Sequence, residues 1–246
     1  EPVRQPRVQS VAKAANILFA VAQSADGLKA LEIAAQLGLP RQATYHLLHT
    51  LVTLGMLTKT ADNRYLLGLR IGALAEAFPR HLAPPERLLP YVRQVASETG
   101  ETTYAVGWVE GEIAALAVVR GRYAVQTAEI PHGTCIDAHA RASGKLLLAF
   151  ADPALRDRYL ARHPLNERTV HTITDRASLD ESFKEIQRER YATDLEEFAD
   201  GVSCLAVPIH DGSVPFALSL SAPTGRFDTE WPRYLEIARR IAANGH

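Results

Sequence analysis

A chain of 246 residues that is 47% hydrophobic and 22% charged, with a net charge of −1, can fill one large or two ordinary cores, which excludes extended disorder. Two cysteines do not make a disulfide framework, the opening EPVRQPRVQS lacks the apolar run of a secretory leader, and no stretch reaches ~18 uninterrupted apolar residues, so a soluble cytoplasmic protein is expected. The charge is uneven: residues 1–78 hold 8 Lys and Arg against 5 Asp and Glu, whereas residues 79–246 hold 19 against 23, which hints at an anionic partner for the first part alone.

In chain order, Val11, Ala15, Leu18 and Ala22 recur at helical spacing behind Ser10, a candidate cap, and Gly27 closes that segment. A short helix over about 30–37 is predicted to bury Leu31, Ile33, Ala34 and Leu37 and to stop at Gly38. RQATYHLLHTLVTLG then predicts a third helix, with Leu47, Leu48, Leu51 and Leu54 on one side and Arg41, Gln42, Tyr45, His46, His49 and Thr53 on the other. LTKTADNRYLLG reads as a β-hairpin, LRIGALAEAF resumes helical spacing, and prolines at 79, 84 and 85 mark a boundary. Beyond it, RLLPYVRQVASETG is helical with Gly100 as cap, and TTYAVGWVE, EIAALAVVRG and YAVQTAEI are short strands. ARASGKLLLAF and SLDESFKEIQRERY are helical, VSCLAVPIHDGSVPFALSLSAP is a strand pair turning at Asp211 and Gly212, and DTEWPRYLEIARRIAANG closes with a helix. This order predicts an α+β fold, an antiparallel sheet with helices grouped around it.

Helix, tight turn, helix and hairpin form the layout of a winged helix-turn-helix. A helix fits the major groove of B-DNA with its N-terminal residues at base edges, and its apolar back must rest on the preceding helices. The expected contacts are Arg41, Gln42, Thr44, Tyr45, His46 and His49 on the third helix, with Lys59 and Arg64 on the hairpin meeting phosphates or the minor groove. The same pattern also suits a helical domain with an ordinary polar face used in protein contacts. A modest basic excess favours two copies acting together on double-stranded DNA.

VQSVAKAANILFAVA, followed by LKALEIAAQLGLPRQATYHLLHTLVTLGMLTKTADNRYLLGLRIGALA, resembles the DNA-binding half of IclR-type transcriptional regulators. DAHARASGKLLLAF, YATDLEEFADGVSCLAVPI and ALSLSAPTGRF resemble the effector-binding half of the same family, in the same order. The resemblance implies a winged helix-turn-helix over 1–68, a linker helix and hinge over 69–83, and a GAF-like antiparallel-sheet effector domain over 84–246. It also implies a homodimer or dimer of dimers, operator DNA and a small carboxylic acid as partners, and neither cofactor nor metal. The effector pocket it implies is lined by Val125, Ala128, Ala142, Ser143, Asp194, Val202, Cys204, Ser219 and Ser221. Two positions depart from the family pattern: His46 stands where a basic residue is common, and Arg141 where a small residue is usual.

Several chemistries compete for these residues. ASGK lacks the upstream glycine and the following Ser or Thr of a phosphate loop, but free N–H groups at its helix start suit a carboxylate, against simple capping by Ser143. Ser219 and Ser221, two apart on a strand, project to one face. Arg141 suits a bidentate carboxylate contact or a surface position, and Trp108, Tyr104 and Tyr123 suit a pocket wall or an ordinary core. His132, Cys135 and His139 with Cys204 allow a metal reading, and Cys204 with Asp194 a cysteine hydrolase, although no local motif supplies a base or oxyanion turn. Glu196, Glu197 and Asp200 read as solvated loop acids. Asp194 facing a bound carboxylate needs a proton, a ligand hydroxyl or a cation between them, which favours a hydroxylated acid, while Arg141 and the nearby Trp and Tyr favour an aromatic one, in either case a catabolic metabolite.

Overall fold

The computed structural model describes residues 6–81, 88–124, 133–209 and 216–243. The chain divides into two compact units, Glu1–Pro79 and Arg80–His246. In the first, α1 (Gln9–Ala22), α2 (Ala30–Gln36) and α3 (Arg41–Thr53) accompany a small antiparallel sheet in the order β1 (Leu28–Lys29), β3 (Arg64–Leu67), β2 (Leu57–Lys59). Ile17, Val21, Ile33, Leu48, Leu51, Leu57 and Tyr65 form its core. The hairpin falls where the turn residues place it, with Asn63 in the left-handed region at φ 64°. β1, which the sequence reading omits, is only two residues long and exists by pairing with β3.

The apolar stripe of α1 differs from expectation. Its buried residues are Ile17, Ala20 and Val21, whereas Val11 is 65% exposed, and the cap position is Val8, not Ser10. Ten of the fourteen residues of α1 are apolar, so several stripes satisfy the helical period and only the packing partner selects one. Leu31 and Leu54 are likewise exposed, and Thr44 takes the core side with Leu48 and Leu51. From Leu69 to His81 the chain is helical, α4.

The second unit is built on a six-stranded antiparallel sheet in the order β6-β5-β4-β9-β8-β7. The strands are β4 (Thr102–Val109), β5 (Glu112–Val119), β6 (Gly133–Thr134), β7 (Ala192–Leu195), β8 (Val202–Ile209) and β9 (Phe216–Pro223). Alternation along each strand sends two sets of side chains to opposite faces. Leu205, Val207, Leu218 and Leu220 meet α5 (Leu88–Thr99) and α9 (Thr224–Ala243). Tyr104, Val106, Ala206 and Ala217 meet α6 (Ala142–Phe150), α7 (Pro153–Arg162) and α8 (Arg176–Glu189). α7, which the expectations above do not include, carries its own local signals: Asp152 caps it, accepting from the Ala154 N–H at 2.9 Å, and Pro153 occupies its first turn. Most of YAVQTAEI and the turn at Asp211 and Gly212 lie outside the described residues.

A buried carboxylate joins the α5–β4 junction to α9. Glu101, 1% exposed, accepts from Arg226 Nη2 at 3.0 Å and from the Tyr234 hydroxyl at 2.9 Å. Removing one member of such a network strands the others away from water. Glu101→Ala is therefore expected to destabilise the second unit by about 2–3 kcal/mol and lower its Tm by about 5–10 °C, measured by calorimetry on the full chain.

Candidate functional site

Two surfaces collect the residues of interest. On α3 the side chains of Arg41, Gln42, Tyr45, His46 and His49 are all exposed, one above another at helical spacing. Lys59 is exposed on β2. Thr44 is a correction: it is fully buried and its hydroxyl donates to the Pro40 carbonyl at 3.1 Å, so it secures the start of α3 and reaches no base. Arg64 is partly engaged within the unit, with 32% of its side chain exposed. Its guanidinium donates to the Gly27 carbonyl at 3.0 Å and pairs with Asp62 at 3.3 Å and Glu32 at 3.8 Å, so it fastens the hairpin to the rest of the unit.

In the second unit, the face of the sheet under α6 carries a polar row. Asp194 on β7 pairs with Cys204 on β8, Cys204 with Ser221 on β9, and Ser221 with Thr102 on β4. The next row on that face is Ala192, Ala206, Ser219 and Tyr104. The Cys204 thiol lies 2.8 Å from the Ser221 hydroxyl, and the Ser219 hydroxyl donates to the Leu205 carbonyl at 2.8 Å. Val202 sits two residues before Cys204 and shares its face. α6 packs against β8 and β9, and in its first turn Ala142 and Ser143 are buried. Among the described residues no side chain caps this helix, so Ser143 is not its cap and the first-turn N–H groups keep their capacity for an acceptor. Gly144 explains the third letter of ASGK: a Cβ there would stand 2.1 Å from the Ala138 carbonyl oxygen, because a 3₁₀ turn (Ala138–Ala140) packs directly on α6.

Arg141 precedes α6 and lies flat on the Phe198 ring, its guanidinium carbon 3.3 Å from the centroid. Its Nε donates to the Ile136 carbonyl at 3.1 Å, while its two terminal amino groups have no hydrogen-bond partner among the described residues. Phe198 belongs to the β7–β8 loop, which is strongly braced. The Asp194 carboxylate accepts from the Glu197 N–H at 2.7 Å and the Phe198 N–H at 3.2 Å, and Thr169 and Thr172 donate to the Glu196 and Glu197 carbonyls at 2.6 and 2.5 Å. Glu197, expected to be solvated, is a further correction: it is 8% exposed and forms a buried ion pair with Lys145 of α6. Sequence reasoning missed this pair because the partners stand 52 positions apart.

Burial, reinforced by Glu197, pushes Asp194 up to about 6, although Lys145 and two backbone N–H groups oppose the shift. Burial also raises the Glu197 carboxyl against the pull of Lys145. The Cys204 thiol is pushed well up by burial and then by Asp194, the reverse of what a thiolate nucleophile needs. Cys135 is buried, and His139 is buried with its Nε2 3.0 Å from the Asn166 carbonyl oxygen, its basicity lowered by burial. Among the described residues no three His, Cys, Asp or Glu side chains gather as a metal site.

Trp108 is half-buried on the α6 face and meets Tyr159 edge-on at 5.4 Å. Tyr104 is buried on the same face. Tyr123 is elsewhere, against Gly100 and under the Arg226 guanidinium, so it walls no pocket with Cys204. Val125, Ala128 and His132 lie outside the described residues.

Two family models match: the IclR helix-turn-helix domain over residues 10–61, and the bacterial transcriptional regulator IclR C-terminal domain over residues 85–244. The chain is 32% identical over 222 residues to the transcriptional regulator BhcR of Paracoccus denitrificans, covering 89% of this chain and 79% of that one. It is 28% identical over 236 residues to the regulator XynR of Escherichia coli, covering 91% and 89%. Among solved structures, an IclR transcriptional regulator from Alicyclobacillus acidocaldarius superposes with a TM-score of 0.69 at 24% identity over 97% of each chain. An IclR homologue from Microbacterium hydrocarbonoxydans complexed with 4-hydroxybenzoate superposes with a TM-score of 0.61 at 25% identity, over 95% of this chain and 96% of that one. These relatives are named as regulators of transcription and none as an enzyme, in keeping with a thiol that burial holds protonated. With the IclR helix-turn-helix model matching its first unit and the IclR C-terminal model its second, the chain belongs to the IclR family of bacterial transcriptional regulators.

Proposed function

We propose that this regulator senses a small carboxylic acid, aromatic or hydroxylated, held between α6 and the Asp194–Cys204–Ser221 row. The observation that carries the reading is Arg141. Its guanidinium is oriented by Phe198 and by the Ile136 carbonyl, and both terminal amino groups are left for a carboxylate. The uncapped first turn of α6 adds N–H donors at the same end. Asp194 and Cys204 then face the far side of the ligand, where a hydroxyl is the natural complement to a carboxylate. The Microbacterium homologue's ligand, 4-hydroxybenzoate, has that pairing of carboxylate and hydroxyl on a ring, and Trp108 supplies an aromatic wall for such a ring here. A catabolic metabolite fits this description.

In this reading residues 1–68 bind operator DNA, 69–83 form the linker helix and hinge, and 84–246 form a GAF-like effector domain. Val8, Val11 and Phe19 on and before α1, with Leu69 and Leu74 on α4, are exposed apolar side chains that suit pairing of two chains, as a homodimer or a dimer of dimers on a pseudo-palindromic site. The effector acts only through unequal affinity for the two arrangements of the DNA-reading heads. Among the described residues no helix is long and apolar enough to cross a membrane.

The test is a fluorescence titration of the full chain against duplexes from the DNA beside its own gene, over several salt concentrations and with a panel of carboxylic acids. Specific binding that weakens with salt and shifts with one class of acid is expected; salt-insensitive or absent binding refutes the reading. Arg141→Ala should weaken the active acid by about 10- to 100-fold, the range for losing a charge-assisted pair, and full retained affinity would remove Arg141 from the site.

The elevated Asp194 gives a pH signature. Below about 6 its carboxyl is neutral and accepts an anionic neighbour; above that it is charged and repels one. For an acid without a hydroxyl, affinity should fall as pH rises from 6 to 8, with about one proton taken up per site by calorimetry in buffers of different ionisation enthalpy. A hydroxylated acid should lack this uptake, and Asp194→Asn should abolish it for the acid without a hydroxyl.

A further inference from the structure

Between α2, α3 and the hairpin of the first unit lies an open cleft of about 310 Å³. Lys29 and Lys59 line it, together with Tyr45, Tyr65 and Asp62. Tyr65 is only 6% exposed, yet its hydroxyl makes no hydrogen bond among the described residues and its ring forms part of the cleft wall. Neither lysine has an ion-pair partner there: Lys59 rests 5.9 Å from the Tyr65 ring centroid, and Lys29 is exposed. Asp62, the one acid in the lining, is already engaged by the Thr60 hydroxyl at 2.5 Å and by Arg64 at 3.3 Å. Burial and the neighbouring Tyr45 push the Tyr65 phenol up, so it remains a hydrogen-bond donor at neutral pH.

Two free ammonium groups and a phenol donor converging on an open cleft are complementary to a singly charged tetrahedral oxyanion. The cleft also borders Tyr45 on the exposed face of α3, so the anion it takes must be one that accompanies a helix in a groove. We propose that this cleft seats one phosphodiester of the DNA backbone, with Lys29 and Lys59 as its cations and Tyr65 as its hydrogen-bond donor. The assignment rests on the DNA-binding reading above and deepens it, since neither Lys29 nor Tyr65 belongs to the exposed face of α3. A phosphate held there sets the register of α3 along the groove and carries no base information itself.

The experiment uses the full chain and a duplex that the unmodified protein binds. Tyr65→Phe, which keeps the ring packing, and Lys29→Gln are compared with Lys184→Gln, an exposed lysine of α8. Tyr65→Phe should weaken binding about tenfold with an unchanged salt slope, whereas Lys29→Gln should lower the slope of log affinity against log salt by about 1 per subunit on the DNA. Lys184→Gln should change neither. A duplex series with single neutral methylphosphonates should show one position per half-site that weakens the unmodified protein and has no effect on Lys29→Gln. Wild-type affinity and slope in both cleft variants, with the unmodified protein still binding, overturn the cleft alone. Absence of salt-dependent binding by the unmodified protein overturns the cleft and the DNA-binding reading together. Inorganic phosphate bound with the same Lys29 and Tyr65 dependence, while duplex binding is indifferent to both, makes the cleft a free-phosphate site and overturns the backbone assignment.

Discussion

A charged pair without water around it has to be held in place by everything that packs against it, and Lys145 with Glu197 is such a pair. Desolvation penalises both charges, so their attraction is recovered only if α6 and the β7–β8 loop stay in register. That register packs α6 on β8 and β9 and puts Phe198 under Arg141. It also brings Glu197 close enough to Asp194 to help raise it. The proposed effector site is in this sense the space defined by one ion pair and the loop it anchors. Thr169 and Thr172, bonded to the carbonyls of that loop, fasten it from a third segment.

The electrostatics of the site follow from the same packing. The polar row across β7, β8, β9 and β4 lies on a face otherwise covered by alanines and aromatic rings, so its groups are poorly solvated. A carboxyl there keeps its proton to about pH 6 and a thiol keeps it throughout the physiological range. Groups that resist ionisation are poor nucleophiles and bases but good neutral hydrogen-bond partners, which suits recognition better than turnover. Arg141, outside the strands and stacked on Phe198, contributes the compensating positive charge.

Much of this arrangement was legible. The third helix, the hairpin and the strands carrying Cys204, Ser219 and Ser221 follow from periodicity and turn residues, and the two-residue spacing of the serines put both on one face. Val11, Thr44 and Glu197 depart from expectation for a common reason. A helix rich in alanine offers several apolar stripes, and a threonine or charged residue near a turn looks solvated in a linear reading. Whether it is solvated depends on a partner that may be 4 residues away, as with Thr44 and Pro40, or 52, as with Lys145 and Glu197. Asp152 and Pro153 show the converse, a local signal for α7 that was present and overlooked.

Short-range periodicity and turn chemistry by themselves determined the order of helices and strands, the polar face of the third helix and the α+β class, because these depend on neighbours within a few residues. The blocks from VQSVAKAANILF to ALSLSAPTGRF determined the family. Tertiary structure alone decided which charges are free and which are spent. Arg41, Lys29 and Lys59 remain open to a partner, Lys145 does not, and Arg64 and Arg141 are half committed, because burial and ion pairing are properties of what packs against a side chain, not of the side chain's place in the chain.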